Sequence, residues 1–134
     1  MISATEWKLL HDKAVEAMRN AYAPYSDFPV GAAAVVDDGR FVRGCNVENV
    51  SYGLGVCAEV TLAGNLAVTG GGRLVAVSVC DSRGEPLTPC GRCRQILLEH
   101  GGVELLVATA NGPVRLGDLL PDAFGPDDLE RGRR

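Results

Sequence analysis

A chain of 134 residues with 46% apolar and 22% charged side chains is long enough to bury its own core without disulfide staples, and it reads as a single domain over residues 1–134. Its formal net charge is −4, and its basic residues form no stripe apart from Arg131, Arg133 and Arg134, which speaks against a polynucleotide partner. The longest run of apolar or glycine residues, Val30 to Val36, is far too short to cross a bilayer, so no membrane partner is expected.

Ser3-Ala4-Thr5-Glu6 has the form of a capping box. Trp7, Leu10, Ala14, Met18 and Ala21 then recur at helical spacing up to Pro24, which predicts a first helix over about residues 4–21. Val30 to Val36 and Phe41 to Asn46 read as two strands joined by a tight turn at Asp37-Asp38-Gly39, and their small side chains suit a sheet covered on both faces. Val56 to Val68 is apolar almost all round and predicts a helix buried on most sides, ended by Thr69-Gly70-Gly71-Gly72. Leu74 to Cys80 is a valine-rich strand. A third helix is expected from about Cys90 to the stop at Gly101-Gly102.

Val103 to Ala108 reads as the next strand, Asn111-Gly112 as a turn, and Val114 to Leu116 as a short last strand. Leu119-Leu120-Pro121 begins a short helical or irregular piece, and the charged stretch over about 126–134 has the composition of a frayed tail. The order α-β-β-α-β-α-β-β, with no repeat or linker, predicts an α/β layered sandwich.

The five cysteines are odd in number and follow a charged N-terminal segment, so reduced thiols, metal binding and a cytoplasmic setting are expected rather than disulfides. Three of them fall in Cys57-Ala58-Glu59 and, after a gap of 29 residues, Pro89-Cys90-Gly91-Arg92-Cys93. Three protein ligands leave a zinc ion one open position, as in catalytic rather than structural sites. C-x-E…P-C-x-x-C is the zinc nucleobase deaminase signature in its all-cysteine form. Each cluster opens a predicted helix, where unpaired amides and the positive end of the dipole favour thiolate, and the spacing of Cys90 and Cys93 puts both sulfurs on one side of the helix. Glu59 is placed to move protons without being a ligand itself.

Three thiolates outweigh the charge of Zn²⁺, so compensation is needed, from helix amides or from Arg92 or Arg94 lying over the sulfurs. Rival readings are a redox pair at Cys90 and Cys93, or a closed four-cysteine site using Cys80 or Cys45 in a non-catalytic zinc-stabilised interaction domain. Neither gives Glu59 a role. Cys45 and Cys80 lie in predicted strands, where a thiol is more often a small hydrophobe than a ligand. His11 and His100 read as solvent-facing or helix-end residues.

With those residues in hand, the chain resembles the cytidine deaminases of the small, three-cysteine, homotetrameric type, over about Ala21 to Phe124. Beside the zinc motifs, Ala23-Pro24-Tyr25-Ser26-Asp27-Phe28-Pro29-Val30-Gly31-Ala32-Ala33 resembles the family's approach to its first strand, and Gly44-Cys45-Asn46-Val47-Glu48-Asn49 resembles its nucleoside-binding segment. The resemblance implies a three-layer α/β/α sandwich around a mixed five-stranded sheet, one Zn²⁺ per subunit on Cys57, Cys90 and Cys93, and Glu59 as the catalytic acid and base. It further implies Phe28 packing on the pyrimidine, Asn46 and Glu48 binding the ribose 3′-hydroxyl, backbone at Ala58 holding the base edge, and Tyr52 and Phe124 completing sites of neighbouring subunits. The implied reaction is hydrolysis of cytidine and 2′-deoxycytidine to uridine products and ammonia, in pyrimidine salvage; the nearest alternative is another aminated nucleoside or nucleoside-like antibiotic. One departure stands out: the family commonly has arginine after the glutamate of C-A-E, and here that position is Val60. Gly64, in mid-helix, costs about 1 kcal/mol against alanine, which close approach of another helix at a subunit interface would justify.

Overall fold

The computed structural model describes residues 2–134. The first helix, α1 (Ala4–Met18), opens as its sequence demands: the Glu6 N–H donates to Ser3 Oγ at 3.1 Å and the Ser3 N–H donates back to Glu6 Oε1 at 3.3 Å. It stops three residues earlier than helical periodicity predicts. Tyr22 is taken by a tertiary bridge, its N–H donating to the Asn46 carbonyl at 3.0 Å and its carbonyl accepting from the Glu48 N–H at 2.9 Å. Two backbone hydrogen bonds to a distant segment thus override the local helical preference of Ala21.

Strands β1 (Gly31–Val36) and β2 (Phe41–Cys45) pair antiparallel around the Asp37-Asp38-Gly39 turn, where Gly39 takes a φ of 91°. Strand β3 (Leu74–Cys80) lies antiparallel on the other side of β1, β4 (Leu106–Val107) runs parallel to β3, and β5 (Val114–Arg115) closes the edge. The result is a mixed five-stranded sheet in the order β2-β1-β3-β4-β5. The β4 region pairs over two residues rather than the six expected. Val103 and Leu105 instead give their carbonyls to the N–H groups of Gly117 and Leu116, at 3.0 and 2.8 Å.

Alternation along β1 divides the core. Ala32, Ala34 and Val36 face α2 (Ala58–Val68) and α3 (Gly91–Gly101) through Ala58, Leu62, Leu66 and Leu97, while Ala33 faces α1 through Leu10, Ala14 and Met18. Helices therefore cover both faces, giving the three-layer α/β/α sandwich expected from the family resemblance. Two glycines set the depth of the layers. A Cβ on Gly31 would come within 2.1 Å of the Ala14 carbonyl, and one on Gly44 within 2.3 Å of the Ala58 carbonyl, so both helices ride directly on strand backbone.

Two expectations need correction. Helix α2 is buried on one face only, through Ala58, Glu59, Leu62 and Leu66; Ala67 and Val68 are exposed, and a Cβ on Gly64 would meet nothing within 4 Å. The segment read as a frayed tail forms a further helix after the single turn α4 (Leu116–Leu119): α5 (Pro126–Gly132) starts with proline in its first turn and with the Gly125 N–H donating to Asp128 Oδ2 at 2.8 Å. Its composition misleads because none of its side chains is buried, so polarity marks a surface helix as readily as a disordered end. Among the described residues, no helix is long and apolar enough to cross a membrane.

Candidate metal centre and active site

Helices α2 and α3 pack against each other with their N-termini at the same end. Cys57 is the N-cap of α2 and Cys90 the N-cap of α3, each with extended backbone, and Cys93 lies in the first turn of α3. The three sulfurs lie within 4.8 Å of one another. Thiolates at about 2.3 Å from one tetrahedral zinc stand about 3.8 Å apart, so a small contraction of this cluster seats the ion. Cys45 and Cys80 are not in the cluster; Cys80 is fully buried against Leu10, Ala14 and Ala33, as a small hydrophobe would be. Because neither Cys45 nor Cys80 joins the other three, the four-cysteine site has no support in the geometry.

Burial pushes the Cys57 and Cys93 thiols up, and Cys93 furthest, with neighbouring Glu59 acting in the same sense. Burial also works to raise the Cys90 thiol, but the Cys93 backbone N–H and the thiols of Cys93 and Cys57 outweigh it and hold Cys90 below the ordinary range. No arginine is among the leading influences on any of the three. Here the structure corrects the expectation for Arg92 and Arg94. Arg92 is exposed. Arg94 donates Nε–H to the Pro89 carbonyl at 2.8 Å and Nη1–H to the Leu119 carbonyl at 2.7 Å, so it fastens the loop before Cys90 instead of covering the sulfurs.

Glu59 occupies the first turn of α2 and is only 4% exposed. Burial raises its carboxyl above the ordinary range, the direction that suits a group that must hold and release a proton. Together with Cys57, Ala58 and Cys90 it lines a cleft of about 410 Å³, whose lining also includes the apolar Val30, Val79 and Leu87 and the polar Asn46, Glu48 and Tyr52. That volume suits a small organic ligand.

Asn46 and Glu48 hang from the segment that Tyr22 ties down. Asn46 Oδ1 accepts from the Val30 N–H at 2.8 Å and its Nδ2–H donates to the Phe28 carbonyl at 2.9 Å. Glu48 Oε1 accepts from the N–H groups of Tyr25 and Ser26 at 3.0 and 3.1 Å, and Glu48 Oε2 accepts from the Ser26 hydroxyl. Of the aromatic side chains, only Tyr52 lines the cleft, tilted against Tyr25 with ring centroids 5.9 Å apart. The lining does not include Phe28, which is 52% exposed, or Phe124, which is 60% exposed and sits beside Gln95 and Leu129 at the start of α5.

The residue whose importance sequence reading missed is Ser26. It stood in the sequence only as one letter of the Ala23–Ala33 segment, although a serine two residues before a residue that needs its N–H bound is a recurrent local pattern. Thr61 was missed too; its hydroxyl lies 2.9 Å from the Cys45 N–H and 2.7 Å from the Cys45 carbonyl, and it joins the end of β2 to α2. His11 is more than a solvent-facing residue, since Nε2 lies 2.7 Å from the Gly84 carbonyl.

The family model described as the cytidine and deoxycytidylate deaminase zinc-binding region matches residues 5–109. A curated cytidine deaminase of Mycobacterium tuberculosis is 62% identical over 129 residues, covering 96% of this chain and 97% of its own. One from Halalkalibacterium halodurans is 38% identical over 127 residues, covering 91% and 96%. The crystal structure of the Mycobacterium tuberculosis cytidine deaminase superposes with a TM-score of 0.88 at 62% identity, over 90% of this chain and 98% of that one. That of Mycobacterium leprae gives 0.85 at 55% identity, over 87% and 98%. Sequence, fold and thiol geometry agree, and the chain belongs to the zinc-binding cytidine and deoxycytidylate deaminase family.

Proposed function

We propose that this protein is a zinc-dependent hydrolase that deaminates cytidine and 2′-deoxycytidine to uridine and 2′-deoxyuridine with release of ammonia. The observation that carries the reading is the arrangement of three sulfurs within 4.8 Å of one another at two helix N-termini, beside a buried carboxylate that opens into the same cleft. Zinc held by Cys57, Cys90 and Cys93 supplies a Lewis acid that lowers the pKa of water and makes it a nucleophile at neutral pH.

The chain's own groups do the rest. Glu59 takes one proton from the water and delivers it to N3 of the pyrimidine as C4 is attacked, then takes the second from the hydroxyl now on C4 and passes it to the amino group, which leaves as ammonia while the C4 oxygen becomes the carbonyl of the product. Ala58, at the first position of α2, offers backbone to the base edge, while Val30, Val79 and Leu87 exclude water from its faces. Asn46 and Glu48 grip the ribose 3′-hydroxyl, a group that both donates and accepts and therefore suits an amide beside a carboxylate. A 3′-hydroxyl is absent inside a polynucleotide, and the net charge of −4 disfavours one, so the substrate is a free nucleoside.

Phe28 and Phe124 reach a pyrimidine only after rearrangement or from a neighbouring subunit. The single chain leaves Tyr52, Phe124 and Val68 exposed and Gly64 facing open space, and packing between copies would cover such groups, which supports a homotetramer with shared sites. One catalytic domain working in cytoplasmic pyrimidine salvage completes the reading. The test is to add zinc-loaded protein to cytidine and follow the ultraviolet change to uridine. A protein carrying one zinc per chain that leaves cytidine, 2′-deoxycytidine and their spectra unchanged would overturn it.

A further inference from the structure

The segment from Tyr25 to Val30 has no regular secondary structure, so each of its amides needs a partner from elsewhere. The Asp27 N–H finds the Ala23 carbonyl at 3.1 Å and the Phe28 N–H the Ser26 hydroxyl at 3.0 Å, while those of Tyr25, Ser26 and Val30 go to the two residues assigned above to the ribose. The Tyr25 and Ser26 N–H groups go to Glu48 Oε1, and the Val30 N–H goes to Asn46 Oδ1. Between them Asp27 adopts a φ of 55°, in the left-handed region that costs an L-residue about 1–2 kcal/mol.

Ser26 spans that strained residue. Its hydroxyl accepts from the Phe28 N–H at 3.0 Å on one side of Asp27 and donates its only proton to Glu48 Oε2 on the other. A carboxylate offers about four acceptor directions. Two on Oε1 are filled by backbone N–H groups and one on Oε2 by the Ser26 hydroxyl, so one direction, on Oε2, is left for a ligand. Glu48 borders both the metal-side cleft and an adjoining cavity of about 260 Å³ walled by Tyr25, Ser26, Asn49, Tyr52 and Gly55. Without the Ser26 hydroxyl only Oε1 would be anchored, by the two backbone N–H groups, and Oε2 would have no partner to fix its direction between the two.

We propose that Ser26 is a positioning residue for sugar specificity: its hydroxyl locks the rotation of the Glu48 carboxylate so that one acceptor direction is presented to the 3′-hydroxyl of a nucleoside. Ser26 touches neither the base nor the metal ligands and acts through Glu48. The inference rests on the assignment of Glu48 to the 3′-hydroxyl made above.

The experiment compares kcat/KM for cytidine and for 3′-deoxycytidine, using the full zinc-loaded chain, in the parent, Ser26→Ala, Ser26→Thr, Glu48→Gln and the Ser26→Ala/Glu48→Gln double variant. Loss of the Phe28 anchor or a general loosening of the loop affects both substrates alike and cancels in their ratio. Ser26→Ala is expected to raise KM for cytidine about tenfold with kcat within about twofold, and to cut the cytidine preference by the same factor, as loss of a hydrogen bond to a charged group would. Ser26→Thr restores the preference, and in the double variant the Ser26 change adds nothing to the effect of Glu48→Gln. A parent that discriminates while Ser26→Ala keeps its full preference overturns the role of Ser26 alone, as do additive effects in the cycle. A parent that deaminates both nucleosides equally well overturns the Glu48 contact and this proposal with it, and a parent inactive on both overturns the proposed function.

Discussion

Gly44 in β2 lies so close to Ala58 at the start of α2 that a Cβ on the glycine would come within 2.3 Å of the Ala58 carbonyl oxygen and 2.4 Å of the Leu62 N–H nitrogen. The contact is backbone to backbone, so no side chain can turn aside to make room. Ala58 stands between Cys57 and Glu59. The sheet therefore sets the position of Cys57 and Glu59, proposed above as metal ligand and proton carrier, through a strand residue that has no side chain.

Gly44→Ala should then destabilise the fold and spoil the site together. Overpacking of this kind costs about 1–3 kcal/mol, and the easiest relaxation is for the first turn of α2 to lift off β2, taking Cys57 with it. Denaturant unfolding and the zinc bound per chain under a chelator challenge measure the two effects. A variant with parental stability and full zinc would show that the helix is positioned by something else.

Glu59→Gln separates chemistry from metal binding. The amide keeps the shape of the side chain but cannot accept the proton, so kcat should fall at least 10²-fold while zinc remains at one per chain. Burial of Glu59 at 4% exposure and its place two residues from Cys57 of the thiol cluster leave little room for another side chain to take over. Near-parental turnover with intact metal would move the acid-base role elsewhere.

Much of this was legible before the structure, and for a definite reason. Cys57, Glu59, Cys90 and Cys93 are read easily because each motif is local and each opens a helix, so the sequence carries both the ligands and the geometry that presents them. Strand β3, with Val77 and Val79 on one face and Ala76 and Cys80 on the other, ran over the predicted residues Leu74–Cys80. Long-range constraints were less visible. Nothing near Ala21 announces that Tyr22 will bridge to Val47, or that Val103 will bond to Gly117 instead of extending β4. The apolar girdle of α2 promised burial on most sides, yet Val68 is 88% exposed, because the pattern does not say whether the covering surface belongs to the same chain. The reading of Arg94 failed for a related reason: charge balance asks for a cation near three thiolates, but two carbonyls had already claimed this one.

The cysteines outside the cluster offer a control. Cys80 is packed among Leu10, Ala14 and Ala33, far from any metal role in the geometry, so Cys80→Ser should bind zinc like the parent while losing about 1–3 kcal/mol of stability through a buried hydroxyl. Cys93→Ser should lose zinc, since the remaining two thiols cannot hold the ion by themselves. Metal analysis of the two purified variants checks the pair. Zinc lost from Cys80→Ser would revive the four-ligand site.

Glu48 predicts how sugar selection depends on pH. Its carboxyl is held below the ordinary range, first by the Ser26 hydroxyl and then by the backbone N–H groups of Ser26 and Tyr25, all of which favour the charged form. A carboxylate depressed in the folded state makes its contribution in full above its unfolded value and loses it as pH falls through the folded one. Anchorage of the loop and the grip on the 3′-hydroxyl should therefore persist to more acidic pH than an ordinary glutamate would allow, then fail together once Glu48 is protonated. The ratio of kcat/KM for cytidine to that for 3′-deoxycytidine reports this step, because titrations of the metal site and of Glu59 act on both substrates. In the parent the ratio should hold down to acidic pH; in Ser26→Ala, which removes the leading cause of the depression, its decline should begin at higher pH. If the decline begins at the same pH in both proteins, the Ser26 hydroxyl is not what keeps Glu48 ionised.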